Sequence, residues 1–229
     1  MSNKAAFLLG CLSMAGCEAP PQRSTFPDPA RPVAPIVSAR YSNEDARDSA
    51  GEFETVVQLA GVKPGMWVAD VGAGEGYYTV RLAPLVGEKG RVLAQDIVPE
   101  TRDNLAQRVQ REQLDNVAVK LGEPNNPKLR PGSFDRIFLI HMYHEIERPS
   151  EFLWNLRPAL KRGGSVILVD ADRPTDRHGT PPRLLVCEFG AVGYELSRFE
   201  RLPQSESYFA QFEAKGPRME PGQIRACPG

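Results

Sequence analysis

Three glycines at every second position form the most unusual cluster in the chain. Asp70, Gly72, Gly74 and Gly76 lie in the segment VADVGAGEGYYTV, after a short apolar run and before a helical pattern. Glycines in a turn between a strand and a helix let the backbone approach a ligand closely. The segment therefore predicts a ligand-binding turn, and neighbouring residues must indicate which ligand it holds.

The spacing argues against two phosphate ligands and for a nucleoside. A Walker loop ends in Gly-Lys-Ser/Thr, which this segment lacks. A dinucleotide fingerprint has its third glycine where this chain has Tyr77. Asp96 follows the next apolar run, where a carboxylate can accept hydrogen bonds from both hydroxyls of an unphosphorylated ribose. Glu123 follows the third run and is placed to meet an adenine amino group, so an adenosine without phosphate is indicated.

Histidines concentrate in a second segment, HMYHEI, which contains His141, His144 and Glu145. We predict a substrate pocket there, with His144 as a base or orienting group beside Glu145. The alternative is that these histidines serve only packing and hydrogen bonding. No metal site is predicted, because HxxH after a strand is not a zinc-enzyme signature. A transition-metal site remains the other alternative, built from His141, His144 and His178 with Glu145 or Asp172.

The elements that must position these residues follow from the apolar pattern. Apolar runs alternate with helical segments, and we predict strands at 66–71, 91–96, 117–121, 134–141 and 165–170. Such alternation is typical of a parallel, doubly wound sheet with helices on both faces and ligands at the carboxyl ends of the strands. The segments YELSRFERL and SYFAQFEA predict a closing antiparallel pair.

Helical periodicity predicts the covering helices. The first helix is expected to begin at a cap on Ser42, with Asp45 as its partner, and to end at Gly61. Further helices are expected from about Gly76, over roughly 100–113, over PSEFLWNLRPAL up to KRGG, and near 183–192.

Four motifs in order resemble those of class I S-adenosylmethionine-dependent methyltransferases, over about Arg40 to Ala214. GVKPGMWVADVGAGEGYYT resembles motif I, AQDI the acidic end of strand two, FDRIFLIHMYHEI the fourth-strand motif and LKRGGSVILVD the fifth. The resemblance implies a Rossmann-like α/β sheet of seven strands, mostly parallel with a reversed C-terminal strand. It also implies S-adenosyl-L-methionine as the cofactor.

The resemblance assigns roles to the residues already singled out. Asp70, Gly72, Gly74 and Gly76 would hold the methionine part of the cofactor, Asp96 the ribose and Glu123 the adenine. We add His141 to the predicted cofactor-binding residues. The predicted activity is methyl transfer to an unidentified, small-molecule acceptor. One alternative is an exported nucleoside-binding module without catalysis, since S-adenosylmethionine is made in the cytosol, and another is an NAD-dependent oxidoreductase.

The N-terminal residues predict export. MSNKAAFLLGCLSMAGC has one lysine, a short apolar core and small residues before Cys17, which is the layout of a secretory signal. The end of this segment resembles a lipobox, which implies a lipid anchor on Cys17 at the periplasmic side of a bacterial envelope. A cytoplasmic location is the alternative. The predicted divisions are a signal peptide at 1–16, a proline-rich linker at 17–40, the methyltransferase domain at 41–215 and a tail at 216–229.

Composition limits the remaining partners. The 229 residues carry a net charge of -1, which gives no reason to expect nucleic acid. The four cysteines show no metal-ligand spacing. An oxidising compartment could pair Cys187 with Cys227, but the sequence leaves this pairing and the oligomeric state open.

Overall fold

The computed structural model describes residues 25–36, 44–203 and 205–229. Its centre is a seven-stranded sheet in the order β3-β2-β1-β4-β5-β7-β6. The strands are β1 (Trp67–Val71), β2 (Arg91–Asp96), β3 (Val117–Leu121), β4 (Phe134–Ile140), β5 (Leu160–Ala171), β6 (Tyr194–Arg201) and β7 (Ser207–Ala214). Strands β1 to β5 are parallel, and β7 runs antiparallel between β5 and β6. This confirms the predicted fold class, including the reversed strand.

Six helices of the described residues surround the sheet. They are α1 (Glu44–Ser49), α2 (Glu52–Leu59), α3 (Tyr77–Val86), α4 (Pro99–Arg111), α5 (Pro149–Leu156) and α6 (Pro182–Ala191). The single helix expected before Gly61 is wrong, because the structure divides it in two at Gly51. This glycine has a φ of 60°, which ends one helix before the next begins. The predicted cap at Ser42 lies outside the described residues.

Burial on both faces explains the apolar runs. On one face Val68 of β1, Phe138 of β4 and Ile167 of β5 pack with residues of α2 and α3. On the other face Ile137, Leu139 and other alternate residues pack with α5 and α6. Because both faces of β4 and β5 are covered, successive side chains are buried and the pattern is continuous rather than alternating.

Strand β5 is longer than expected. The helical pattern was expected to continue to the KRGG segment, but α5 ends at Leu156 and a short 3-10 turn, Arg157–Ala159, follows. Pro158 lacks the backbone N–H that an α-helix requires, so the chain leaves the helix here. Leu160 already pairs with Phe134, before an irregularity shifts the register of the two strands.

Part of the range predicted as a linker packs on the domain. The guanidinium of Arg31 is buried and donates hydrogen bonds to Glu188 (2.9 Å) and to the carbonyls of Tyr143 (3.4 Å) and Ile146 (3.2 Å). The backbone N–H of Ala34 donates to the backbone carbonyl of His144 (3.2 Å). Residues 25–36 therefore brace the turn that follows β4. The predicted signal peptide, Cys17 and the rest of the linker range lie outside the described residues.

A disulfide joins the C-terminal segment to the sheet's covering helices. Cys187 of α6 is bonded to Cys227, with their Cα atoms 5.9 Å apart, which resolves the pairing left open by the sequence. Ile224 is buried, and Pro228 forms a bridge to Ala30. The two ends of the described chain thus meet beside α6. Within the ranges described, none of the helices combines the length and apolar character of a membrane span.

Arg31→Ala should destabilise the protein by about 3–5 kcal/mol, because it leaves Glu188 as an unpaired buried carboxylate. Denaturant unfolding of parent and variant measures this difference. Arg201→Ala is a matched control: its ion pair with Asp172 is largely exposed and should contribute only about 0–1 kcal/mol. Equal effects of the two substitutions would contradict the structural role assigned to Arg31.

Candidate active site

A cavity opens at the carboxyl ends of β1 and β4, where the order of strands changes direction. This is the position at which doubly wound sheets bind ligands. Most of the predicted site residues line it, namely Asp70, Gly72, Gly74, Asp96, Glu123, His141 and Glu145. Gly76 and His144 are not part of its lining. Most of the residues predicted from the sequence therefore line one cavity, and their roles stay predictions.

The three glycines of the turn have two different surroundings. All three have positive φ, which favours glycine. A Cβ on Gly72 would lie 2.9 Å from the Met142 side chain, and one on Gly76 would lie 2.3 Å from Leu105 of α4. A Cβ on Gly74 would meet nothing within 4 Å. Gly74 thus borders open space in the cavity, whereas Gly72 and Gly76 allow close packing.

Asp96 connects the glycine turn to the end of β2. Its carboxylate accepts hydrogen bonds from the backbone N–H groups of Gly74 (3.0 Å) and Val98 (2.9 Å). The side chain is buried, yet it lines the cavity. A carboxylate has about four acceptor positions, so two remain for a ligand's hydroxyl groups.

Asp70 is fully buried beneath the turn. The Thr79 hydroxyl of α3 donates to its carboxylate at 2.6 Å. Burial raises the pKa of Asp70 to about 6, although the hydrogen bond from Thr79 acts in the opposite direction. Asp70 therefore ties the carboxyl end of β1 to the first turn of α3 and fixes the start of the glycine turn.

Glu123 and His141 both line the cavity but have protein partners. Glu123 forms an exposed ion pair with Lys128. The Nε2 atom of His141 lies 3.1 Å from the carboxylate of Glu52 in α2. Burial opposes ionisation of Glu52, but His141 and Arg47 outweigh it and lower the pKa of Glu52 to about 2.

The two predicted catalytic residues are neighbours in one turn, but their side chains have different surroundings. Glu145 lines the cavity. His144 is 1% exposed, and its Nδ1 atom lies 2.9 Å and 3.1 Å from the two carboxylate oxygens of Asp170 at the end of β5. The structure thus brings Glu145 to the cavity and places His144 on the side of Asp170.

Sequence reasoning missed several residues that form the site. Glu44 and Arg47 of α1 and Ile36 of the N-terminal segment also line the cavity. No motif marks them, because they reach the cavity from distant positions in the chain. Asp170 is the last residue of the apolar run SVILVD. A carboxylate at the end of a predicted strand was therefore the feature that could have indicated it as a site residue.

Comparisons with known proteins relate the chain to methyltransferases. Residues 69–168 match the family described as "Methyltransferase domain". The chain is similar to the ubiquinone/menaquinone biosynthesis C-methyltransferase UbiE of Shewanella sediminis, with 27% identity over 180 residues, 73% of this chain and 65% of the relative. It is 31% identical to the UbiE of Azotobacter vinelandii over 52% of this chain and 48% of that protein. The chain spans from about half to two thirds of the length of these curated relatives.

Solved structures support the same fold. An S-adenosylmethionine-dependent methyltransferase from Aquifex aeolicus superposes with a TM-score of 0.69 and 25% identity, over 79% of this chain and 100% of that one. A TehB-like methyltransferase from Corynebacterium glutamicum gives a TM-score of 0.60 at 19% identity, over 78% and 98% of the two chains, which shows the fold alone. Together, the matches show that the chain is similar to S-adenosylmethionine-dependent methyltransferases, and this similarity implies S-adenosylmethionine as the cofactor.

The residues of the cavity fit this cofactor. Open space above Gly74 lets a ligand lie directly against the backbone. The carboxylate of Asp96 retains acceptor positions that suit two ribose hydroxyls. Most of the other described lining residues offer no cationic group for a phosphate, and Arg47 is already paired with Glu52.

Asp70→Asn should stabilise the protein at pH 8 by up to about 3 kcal/mol, because two pH units of raised pKa cost that much when the buried group must ionise. Because the pKa of Asp70 is higher in the folded state, this group adds to the free energy of unfolding below about pH 4. That contribution is lost as the pH rises through about 6. The gain should therefore shrink as the pH is lowered toward 4. Thermal unfolding at pH 4, 6 and 8 measures it.

Asp103→Asn, an exposed substitution on α4, controls for the loss of one negative charge. If Asp70→Asn is no more stable than the parent at pH 8, the buried carboxylate does not have the environment described above.

Proposed function

We propose that the protein transfers a methyl group from S-adenosylmethionine to a small-molecule acceptor. The observation that carries the proposal is the pairing of Gly74 with Asp96 at the strand-order switch. An open backbone position and a buried carboxylate lie side by side there, 3.0 Å apart through one hydrogen bond. The match to the methyltransferase domain over residues 69–168 supports the same activity.

The cofactor supplies a methyl group on a positively charged sulfonium sulfur. A nucleophile of the acceptor forms a bond to the methyl carbon while the carbon–sulfur bond breaks and its electron pair stays on sulfur. Catalysis of such a displacement consists mainly in orienting the reactants. In this chain Asp96, Gly72 and Gly74 would hold the nucleoside and methionine parts, with Asp70 fixing the turn from below. Glu123 and His141 would complete the cofactor site.

The acceptor side is the part of the cavity formed by the turn after β4. Apolar side chains line it, including those of Met142, Ile146 and Phe152. Ile36 of the N-terminal segment adds a further apolar side chain at the rim. Such walls suit an apolar small molecule. The two UbiE relatives are named for quinone biosynthesis, which supports this class of acceptor without identifying it.

Glu145 is the member of the predicted catalytic pair that can meet an acceptor. It lines the cavity, and a carboxylate at this position would accept the proton of an acceptor hydroxyl or thiol. His144 acts as a positioning residue in this arrangement, because its ring is buried and held by Asp170.

Asp96→Ala should weaken S-adenosylmethionine binding by at least about 10-fold, since each charged hydrogen bond lost to a ribose hydroxyl contributes about 1.5–3 kcal/mol. Calorimetric titration of parent and variant measures this. Asp103→Ala, on the exposed face of α4, should bind as the parent does. Equal affinity of the parent and the Asp96 variant would contradict the ribose assignment, and a preference for NAD over S-adenosylmethionine would contradict the proposed function.

We also propose that the protein is exported and anchored by lipid on Cys17. The signal-like N-terminal residues support this location. The disulfide between Cys187 and Cys227 supports it independently, because disulfides persist mainly in oxidising compartments.

Cys17→Ser should release the protein from the membrane fraction or block its processing, because the lipid-bearing thiol is lost. Fractionation of native cells followed by mass spectrometry of the N-terminus measures both effects. Cys11→Ser is the matched control and should leave the mature protein unchanged. Full-length protein that retains Met1 in the cytosol would contradict the proposed location.

A further inference from the structure

A cluster of metal-ligand side chains lies around His144 and includes Glu145 of the cavity lining. His144, Glu145 and His178 each offer one ligand atom, and these atoms all lie within 4.8 Å of one another. His144 and Glu145 come from the turn after β4, whereas His178 comes from the loop after β5. The rings of His144 and His178 meet edge to face, with centroids 5.4 Å apart. Two histidines and one carboxylate are the donor set of many zinc sites with an open position.

The hydrogen bonding of His144 prepares one nitrogen for a metal. The Asp170 carboxylate can only accept, so Nδ1 of His144 must donate to it. In the neutral ring, Nε2 then carries the free lone pair. This atom is buried and has no hydrogen-bond partner in the described part of the chain. A buried ring nitrogen with nothing to bond is costly, and a metal ion would satisfy it.

Asp170 has the environment of an outer-shell carboxylate. It is fully buried and also accepts hydrogen bonds from the Thr180 hydroxyl (2.7 Å) and from the N–H of Ala171 (2.9 Å). Metal-binding histidines commonly donate their second N–H to such a carboxylate, which fixes the ring and raises its basicity. Together, Asp170 and Glu145 would supply two negative charges to offset a divalent cation.

The loop that carries His178 is held at both ends. Before it, the Thr175 hydroxyl donates to the carbonyl of Pro32 (2.7 Å) in the N-terminal segment. After it, Thr180 bonds to Ala171 through its N–H (2.9 Å) as well as to Asp170 through its hydroxyl. The ligand-bearing elements are therefore fixed by the fold. Tetrahedral zinc ligands lie about 3.4 Å apart, so adjustments of about 1 Å in these side chains would complete the site.

We propose that His144, His178 and Glu145 bind a divalent transition-metal ion of the Zn²⁺ class, with Asp170 orienting His144. This differs from the sequence prediction, which included no metal and offered His141 as a ligand of the alternative site. The structure instead pairs His141 with Glu52, and it brings Glu145 rather than Asp172 to the two remaining histidines.

The role of the ion in activating the acceptor rests on the proposed methyl transfer. Glu145 belongs both to the cluster and to the cavity lining, so a bound ion would stand at the acceptor side of the cavity. A metal ion lowers the pKa of a bound hydroxyl or thiol and so replaces a protein base. In that case Glu145 serves as a ligand, and the proton of the acceptor leaves to water.

Zinc binding is measured without cofactor or acceptor, so its outcome is independent of the proposed activity. The protein is prepared untagged, as the full chain with Cys11→Ser and Cys17→Ser to remove free thiols, and is stripped with a chelator. Calorimetric titration with Zn²⁺ and the visible absorption of Co²⁺ give the stoichiometry, affinity and geometry. We expect one ion per chain with tetrahedral Co²⁺ bands, and no competition by Mg²⁺, which prefers oxygen ligands.

Four variants test the assignment. His178→Ala and Glu145→Gln change half-buried side chains and should each weaken Zn²⁺ binding at least tenfold. Asp170→Asn should weaken it by about 10- to 100-fold, as outer-shell substitutions do. His141→Gln is the matched control and should bind Zn²⁺ as the parent does. Circular dichroism and thermal unfolding without metal verify that each variant is folded.

Two results would overturn the proposal. One is a parent protein that binds no Zn²⁺ or binds Mg²⁺ equally well. The other is a His141→Gln variant that loses as much affinity as His178→Ala, because binding would then not depend on the cluster.

Discussion

The buried guanidinium of Arg31 is the contact on which the acceptor side of the cavity depends. The turn after β4 leaves the sheet with carbonyl groups that no strand can satisfy, and Arg31 donates to those of Tyr143 and Ile146. Glu188 of α6 balances its charge and also accepts from the Tyr143 hydroxyl (2.8 Å). A buried ion pair of this kind favours one conformation but adds little net stability, because the cost of desolvation offsets most of its Coulomb energy. Its effect is to fix one conformation of a turn that has to present Glu145 to the cavity and His144 to Asp170.

The same contact explains why the two ends of the described chain meet where they do. Glu188 directly follows Cys187, whose disulfide to Cys227 attaches the C-terminal segment to α6. That segment in turn bridges to Ala30, next to Arg31. The N-terminal segment is thus held between the turn and the C-terminal residues. A range with the composition of a spacer becomes, in part, a structural element of the site.

The centre of the sheet could be predicted from the sequence because β1, β4 and β5 are mostly buried on both faces and leave continuous apolar runs. The location of the glycine turn and of Asp96 at the cavity was also predictable, since it follows from their position relative to a strand end. Gly51 was visible, but an isolated glycine in a helical pattern is often tolerated, so the break between α1 and α2 could not be inferred. Arg31 could not be assigned either, because its partner Glu188 is 157 residues away and local periodicity contains no information about such contacts. Asp170 was marked by its position near a strand end, but its pairing with His144, 26 residues away, could not be inferred.

The walls of the cavity differ in how strongly they are held. The glycine turn is attached through buried groups, Asp70 and Asp96, and the turn after β4 is attached through Arg31.

In contrast, α1 has no buried residue. Its Glu44 pairs with Arg81 and Arg108, and its Arg47 lies 3.9 Å from the ring centroid of Tyr77. Partly exposed ion pairs contribute only about 0–1 kcal/mol each and are screened by salt. Gly51 separates this helix from α2, which is anchored in the core by Phe53 and Val56. The side of the cavity formed by α1 is therefore the part that the rest of the fold constrains least, whereas the sides that face the cofactor and the acceptor are fixed by buried contacts.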